Sequence, residues 1–370
     1  MSAGNLWDIF CRVIDNYGDI GVCWRLSADL AARGQRVRLW VDDASALRWM
    51  APQGAPGVEV RTWTQPIQTE DLITGNILVE AFACEIPSEY LAAYTSKIKS
   101  TGQSSAWINL EYLSAEGFAE RNHGLPSPVL SGPGSGLRKH FFYPGFSPAT
   151  GGLLREPNLL TRQVRFDRAV WLQQQNIAFA GERLLSLFCY EPAALGDLLD
   201  HLAADSQSTR LLVTSGRAAA AVRRCIEGND RSRPAWNACA ALSISFLPAL
   251  SQRDFDHLLW TCDLNFVRGE DSLVRALWAN KPFIWQIYAQ HDDAHHDKLD
   301  AFLDVISAPL SLRTFHQVWN GVKDEYGTAQ TALPALDLPE WQQCATQARR
   351  QQLQQDDLVT RLIRFVSKNP

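Results

Sequence analysis

Two trains of short apolar runs, each run followed by an amphipathic stretch, set the limits on what this chain can fold into. In the first train, residues 6–14 are apolar enough for a strand buried on both faces. Residues 21–33 place Val22, Leu26 and Leu30 on one helical face, and residues 37–41 form a second buried run. Gly34 follows the helical stretch, where a residue free to enter the left-handed conformation ends it. Strand-like runs at 76–81 and 106–110, with a helical stretch at 88–100, extend the series. The second train reads strand 184–190, helix 192–203, strand 211–214, helix from 217, strand 242–247, helix 252–262, strand 264–267, helix from 272 and strand 283–288. Pro192 suits a first helical turn, and Ser251 with Asp254 three residues on suits a helix cap. Alternation at this spacing predicts parallel sheets covered by helices on both faces.

Between the trains, residues 127–158 turn to Gly, Pro and Ser, including the run Tyr143-Pro144-Gly145-Phe146, and read as a long loop and domain boundary. Helical segments at 341–355 and 357–367 close the chain. The expected organisation is α/β. A Rossmann-like domain spans 1–155, a linker region 156–180, a second Rossmann-like domain 181–340, and C-terminal helices, free to pack back on the first domain, 341–370. Two such domains would face each other across a cleft at the carboxyl ends of their sheets, where doubly wound folds bind ligands. That layout serves many activities, so function has to come from particular residues.

Charge narrows the partners. With 35 Lys and Arg against 40 Asp and Glu, the net charge of -5 gives no overall positive field to gather nucleic acid or anionic membrane. No stretch approaches the ~18 apolar residues of a membrane span, and the first apolar run carries Asp8 and Arg12 without the order of a signal peptide. A cytoplasmic location is expected. The eight cysteines form neither a CxxC pair nor a zinc ladder and read as reduced thiols. Most of the 13 tryptophans are expected in cores, the remainder against a binding cleft.

The turn between the first strand and first helix, Asp15-Asn16-Tyr17-Gly18-Asp19-Ile20-Gly21, lacks the glycine pattern of a dinucleotide site and sets two carboxylates where phosphate would be repelled. A carboxylate at a helix N-terminus is kept ionised and available as an acceptor or base. The plainer alternative makes Asp19 an N-cap and Asp15 a turn former. In the second train, Phe266 to Ala276 is a strand end, a glycine turn and a helix start. Ser272 and the following N–H groups suit a diphosphate, Arg268 adds positive charge, and Glu270 or Asp271 could accept from sugar hydroxyls. An ordinary capped helix with a local salt bridge would give the same string. Phe188 and Tyr190 end the first strand of that domain, Gln252 starts a helix, and Tyr288 follows a strand. His291, Asp292, Asp293, His295, His296 and Asp297 resemble a metal cluster but read better as a solvated helix start. No Walker loop, HExxH or GxSxG occurs, against a P-loop kinase, a zinc protease and a common serine hydrolase.

Asp15 to Leu26, Phe266 to Ala276, and Trp285-Gln286-Ile287-Tyr288-Ala289-Gln290 together resemble the bacterial protein-arginine rhamnosyltransferases that modify elongation factor P, over essentially the whole chain. The resemblance implies GT-B architecture and an inverting transfer of rhamnose from TDP-β-L-rhamnose to one arginine of elongation factor P. An inverting displacement needs only a base near the acceptor and stabilisation of the departing diphosphate, which a helix N-terminus and Arg268 can give, so no metal and no cofactor are expected. It implies Asp19 as general base, Asp15 as a second essential acid, and Asp15, Asn16 and Asp19 against the acceptor. Arg268, Glu270, Asp271 and Ser272 would bind the donor, with Tyr190, Gln252, Tyr288 and Phe188 beside them. Ahead of Gln252, where the pattern leads one to expect an aromatic ring, stand Ala249 and Leu250, which leaves Phe188, Tyr190 and Phe246 to stack on the base. The competing readings are a GT-B transferase or epimerase using another nucleotide sugar, and a non-catalytic elongation factor P binder.

Overall fold

A computed structural model of the protein describes residues 5–14, 17–63, 66–67, 72–102, 105–289, 294–323 and 332–369. The chain divides into two compact units, residues 1–157 with 354–370, and residues 158–353.

The first unit is built on a seven-stranded sheet in the order β3-β2-β1-β4-β5-β7-β6. Its strands are β1 (Leu6–Cys11), β2 (Arg36–Val41), β3 (Val58–Thr62), β4 (Ile77–Ala81), β5 (Ala106–Leu110), β6 (Pro126–Pro128) and β7 (Arg138–Phe142). All neighbours are parallel except β6 and β7. Successive side chains of a strand point to opposite faces, so β1 feeds two cores. Trp7, Ile9 and Cys11 join the cluster containing Leu26 and Leu30 of the first helix, while Phe10 joins Trp40, Leu78 and Tyr90 on the other face. That helix, Gly18–Ala32, begins three residues before the expected start at 21. It ends as the sequence suggests: Gly34 has φ +83°, its N–H donates to the Ala31 carbonyl, and the Gln35 N–H reaches the Leu30 carbonyl.

Three strands of this sheet were not expected. β3 lies at one edge and is mostly exposed, so it carries no buried apolar run. β7 lies within the Gly, Pro and Ser segment expected as a loop at 127–158, and β6 begins one residue before it. Pro126 and Pro128 are tolerated because β6 is an edge strand, with β7 as its partner in the sheet.

A buried charge ties β1 to its surroundings. Asp8, fully buried, accepts both Nε and Nη2 of Arg38 at 2.6 Å, the Trp40 indole N–H at 2.8 Å, the Gly75 N–H at 2.5 Å and the Tyr90 hydroxyl. Such a pair is tolerated in a core only because the surrounding donors complete the carboxylate's hydrogen bonds.

The second unit holds a five-stranded parallel sheet, order β10-β9-β8-β11-β12. These strands are β8 (Arg183–Leu187), β9 (Thr209–Val213), β10 (Leu242–Phe246), β11 (Leu264–Arg268) and β12 (Phe283–Gln286). The stretch 156–180, expected as a linker, carries two helices, Leu159–Val164 and Arg168–Gln174, and belongs to this unit from Asn158 onward. Asp167 caps the second by accepting the Ala169 and Val170 N–H groups, and Trp171 and Leu172 enter a core with Leu184, Leu212 and Leu258. The anticipated Ser251 cap is present, accepting the Asp254 N–H at 3.1 Å at the start of the helix Gln252–Thr261. Arg275 and Asp256, both buried, form a two-pronged pair at 2.8 and 2.7 Å between that helix and the helix Gly269–Ala279. The closing helices divide between the units: Leu338–Leu353 lies in the second, Leu358–Lys368 in the first, where Arg33 bonds Asp357 and Thr360. Among the described residues no helix is long and apolar enough to cross a membrane.

Asp8→Ala removes the anion and leaves Arg38 buried without its counter-charge. The expected loss is about 3–5 kcal/mol of unfolding free energy, read by urea titration of tryptophan fluorescence. Wild-type stability in that variant would show that the pair adds nothing to the first unit.

Candidate functional site

A parallel sheet delivers its strand ends to one edge, and a doubly wound sheet opens a crevice there where the strand order reverses. In the first unit the reversal lies between β1 and β4, in the second between β8 and β11. The two motifs singled out from the sequence follow β1 and β11, so each sits at one of these crevices.

In the first unit, Tyr17 occupies the N-cap of the helix Gly18–Ala32 without a side-chain capping bond, and Asp19 lies inside the first turn. Asp19 is therefore not the cap residue, and its half-buried carboxylate stands at the positive end of the helix dipole. One turn further on, the Cys23 thiol is pushed well above its ordinary range by its hydrogen bond to Cys11 and by burial, with the Asp19 charge adding. Tyr17, about half exposed, meets Trp49 edge to face at 5.6 Å. Asp15 and Asn16 lie outside the described residues.

The second unit gathers most of the other expected residues. Arg268 is the N-cap of the helix Gly269–Ala279, and its guanidinium sits over two rings, 4.4 Å from Phe188 and 4.5 Å from Tyr190. Its Nη1 donates to the Cys189 carbonyl at 3.0 Å. Burial lowers its pKa, yet a guanidinium stays charged, and it forms no ion pair among the described residues. A stacked cation with N–H donors to spare, beside a helix N-terminus, is a site for an anion. Gly269, at φ +63°, makes the turn that a side chain would strain. Its carbonyl accepts the Trp285 indole N–H at 2.7 Å.

Tyr190 is fixed from two sides. Its N–H donates to Gln286 Oε1 at 2.8 Å, and its ring meets that of Tyr288 edge to face at 5.6 Å. Arg217, which the sequence marks only as a helix start, lies 5.0 Å from the Tyr190 ring centre and pairs with Glu191. Gln252 opens its helix.

Two details differ from expectation. The helix starts at Gly269 rather than Ser272, and the buried Ser272 hydroxyl is used within the turn, accepting the Arg268 N–H at 3.0 Å and donating to the Arg268 carbonyl. The N-terminal end of the helix is thus the turn at Gly269 to Asp271, and Ser272 holds that turn in shape. Glu270 accepts Lys298 Nζ at 2.5 Å, while Asp271 is half-buried in the same turn. The second difference concerns aromatic rings. Phe255, three residues past Gln252, meets Phe188 edge to face at 5.3 Å, whereas Phe246 lies under Arg223 at 4.3 Å. The signal for Phe255 was its place one helical turn from Gln252.

Of the histidine-rich string, His291, Asp292 and Asp293 lie outside the described residues. Among those described, no group of three or more His, Cys, Asp or Glu is placed to hold a metal. All eight cysteines are free.

Two α/β units with parallel sheets and motifs at both reversal points define a glycosyltransferase of the GT-B class. Arabidopsis thaliana UGT89C1, solved with UDP, has this fold at 9% identity, a TM-score of 0.50 and 99% coverage of each chain. The family model described as elongation factor P (EF-P) rhamnosyltransferase EarP matches residues 7–367, and the chain belongs to that family. It is 42% identical over 382 residues to the protein-arginine rhamnosyltransferase of Pseudomonas aeruginosa, covering 97% of this chain and 98% of that one. The counterpart from Pseudomonas putida is 43% identical over 386 residues, with the same coverage. A solved structure described as the structural basis for EarP-mediated arginine glycosylation of translation elongation factor EF-P is 32% identical, with a TM-score of 0.63, and covers 99% of this chain and 100% of its own.

Ser272→Ala removes both hydroxyl bonds from the turn. It should cost about 1 kcal/mol of stability without any ligand present, seen as an earlier denaturation midpoint. An unchanged midpoint would mean that the hydroxyl is not used to hold the turn.

Proposed function

We propose that this chain transfers L-rhamnose from TDP-β-L-rhamnose to the guanidinium of one arginine of elongation factor P, with inversion at the anomeric carbon. The observation that carries this reading is the 42% identity to a protein-arginine rhamnosyltransferase over nearly the full length. The expected location is the cytoplasm, where a translation factor is available as acceptor.

The chemistry asks for two different environments. A guanidinium is protonated up to a pKa above ~12 and is a poor nucleophile until a base takes a proton from it. Asp19, with Asp15 beside it in the sequence, supplies the anion that attracts and orients it, and the Asp19 carboxylate is the proposed proton acceptor. The guanidinium nitrogen bonds to the anomeric carbon as the bond from that carbon to the diphosphate oxygen breaks, and the proton passes to Asp19. The leaving diphosphate gathers negative charge. Arg268 and the N–H groups of the first turn of the helix Gly269–Ala279 are the proposed stabilisers, which lets the reaction run without metal. Phe188, Tyr190, Tyr288 and Gln252 line the donor side in this reading, with Glu270 and Asp271 toward the sugar hydroxyls. Ser272 supports the turn, and Phe255 joins the rings available to the base.

Asp19→Asn keeps the shape of the turn and loses the charge. Transfer should fall by at least ~10²-fold while donor binding, measured by calorimetry, stays within twofold. Wild-type turnover would remove Asp19 from the base role. Arg268→Ala should give the opposite pattern, with donor affinity reduced about tenfold or more through the lost charge-assisted bonds. Unchanged donor affinity would place the diphosphate elsewhere.

The reaction itself is tested by the intact mass of unmodified elongation factor P after incubation with enzyme and TDP-β-L-rhamnose in the presence of EDTA, with the acceptor Arg→Lys as control. A gain of one deoxyhexose that the control lacks is expected. No gain with or without added divalent ion would sink the proposed reaction, and a gain only with the ion would sink its metal independence.

A further inference from the structure

The donor-side residues of the second unit lean on an edge strand. β12 is the last strand of that sheet, with β11 on its inner side, Val267 opposite Trp285 and Arg268 opposite Gln286. An edge strand turns a row of backbone N–H and carbonyl groups outward, and where water alone meets them its last residues fray. Here two side chains of one helix stand where a further strand would. His316, fully buried in the helix Leu310–Trp319, accepts the Trp285 N–H at Nε2, 3.0 Å away. Asn320, the C-cap of the same helix, donates from Nδ2 to the Trp285 carbonyl at 2.9 Å and accepts the Ile287 N–H at Oδ1, also at 2.9 Å.

Both side chains are oriented by bonds of their own. His316 Nδ1 lies 3.0 Å from the Leu312 carbonyl, which only an N–H can satisfy, so the proton sits on Nδ1 and Nε2 is left as the acceptor. Burial lowers the His316 pKa to about 4, the Leu312 bond opposes that and the Arg313 charge adds to it, so the ring is neutral and keeps its lone pair. Asn320 Nδ2 also donates to the His316 carbonyl at 2.8 Å, which fixes the orientation of the amide. The strand stretch so held reaches the donor side at three points. The Trp285 indole N–H bonds the Gly269 carbonyl at 2.7 Å, in the turn that follows Arg268. Gln286 Oε1 accepts the Tyr190 N–H at 2.8 Å, and Tyr288, next after Ile287, meets the Tyr190 ring at 5.6 Å.

We propose that His316 and Asn320 are positioning residues for the nucleotide sugar: by holding the outer backbone of Trp285 and Ile287 they set Gln286, Tyr288 and the Gly269 turn in the places the donor requires. The inference rests on the reading of Arg268, Tyr190 and Tyr288 as the donor side. Where the bonds fall favours this role. Pairing with β11 ends at Gln286, and Tyr288 is 45% exposed, so the chain between them is the part of the strand most open to displacement. The Asn320 bond to the Ile287 N–H comes one residue before Tyr288, and any shift of Ile287 passes directly to that ring. Both residues act through β12 and take no part in the proton transfer.

The test uses the full chain with Asn320→Leu and His316→Leu, which keep much of the volume and remove the bonds, and with His316→Gln, whose side-chain carbonyl can accept where Nε2 does. Affinities for TDP-β-L-rhamnose and for elongation factor P are measured by calorimetry, and transfer by steady-state kinetics. Each leucine variant should raise the donor Kd and KM about five- to tenfold with the acceptor Kd within about twofold, and His316→Gln should recover most of the loss. Asn320→Leu combined with Tyr288→Leu should weaken donor binding by less than the product of the separate effects, since one acts through the other. A donor Kd unchanged in both leucine variants would overturn the proposal. So would equal weakening of donor and acceptor binding, the mark of a merely structural role, or full additivity with Tyr288→Leu. Asn320→Ser, too short to reach the strand but still polar at the helix end, is read in the same way should the leucine forms not fold: a donor-only loss is expected, and an unchanged donor Kd overturns the proposal. Arg268→Ala is the control for the underlying reading. Weakened donor binding there with unchanged binding in the Asn320 variants would defeat this inference alone, whereas unchanged donor binding in both would defeat the donor-side reading with it.

Discussion

Parallel pairing is the constraint on which everything functional in this chain depends. In each unit the central strands run the same way, so their carboxyl ends, and the residues that follow them, are delivered to a single edge. The reversal of strand order then parts the covering helices beside β1 in one sheet and β8 in the other. Asp19, Phe82 and Glu111 share one edge because they follow β1, β4 and β5. Phe188, Tyr190 and Arg268 share the other because they follow or end β8 and β11. None of these groupings is visible in linear spacing.

The two edges are furnished with opposite electrostatics. The first sets the Asp19 carboxylate against the positive end of a helix, which favours its ionised form. The second holds Arg268 between rings, where cation–π attraction offsets part of the cost of burial and the guanidinium keeps N–H donors for an anion. In the proposed reaction a cationic acceptor and an anionic leaving group make those two demands, one for each unit.

Much of this was legible in the sequence because hydrophobic period and turn chemistry are local signals. The runs at β1, β8 and β11, the glycine end at Gly34 and the Ser251 cap depend on near neighbours and appear where the pattern puts them. β3 was illegible because an exposed edge strand has no apolar run to show. β6 and β7 were hidden by prolines and glycines that an edge hairpin tolerates. Asp8 read as a charge incompatible with a signal peptide, and only the fold reveals that Arg38, Trp40, Gly75 and Tyr90 converge on it. At the candidate sites, residue type marked Arg268 and Asp19. The role of Ser272 within its turn and the approach of Phe255 to Phe188 depend on where the helices begin and how they pack.

The buried ion pairs bear on how these edges keep their shape. Asp8 fastens β1 to β2 and to the backbone at Gly75, so the chain leaving β1 toward Asp19 starts from a fixed point. Arg275 and Asp256 do the same for the helix Gly269–Ala279 against the helix Gln252–Thr261, and so for the turn that carries Arg268 relative to Gln252 and Phe255. Buried pairs add little net stability compared with well-packed apolar groups, but breaking one is costly, so they penalise alternative packings. That trade suits a transferase. An error of about 1 Å in a reacting group costs on the order of 10²-fold in rate, whereas a small excess of stability gains nothing in catalysis. Both pairs lie behind the strand ends and helix starts, where register matters.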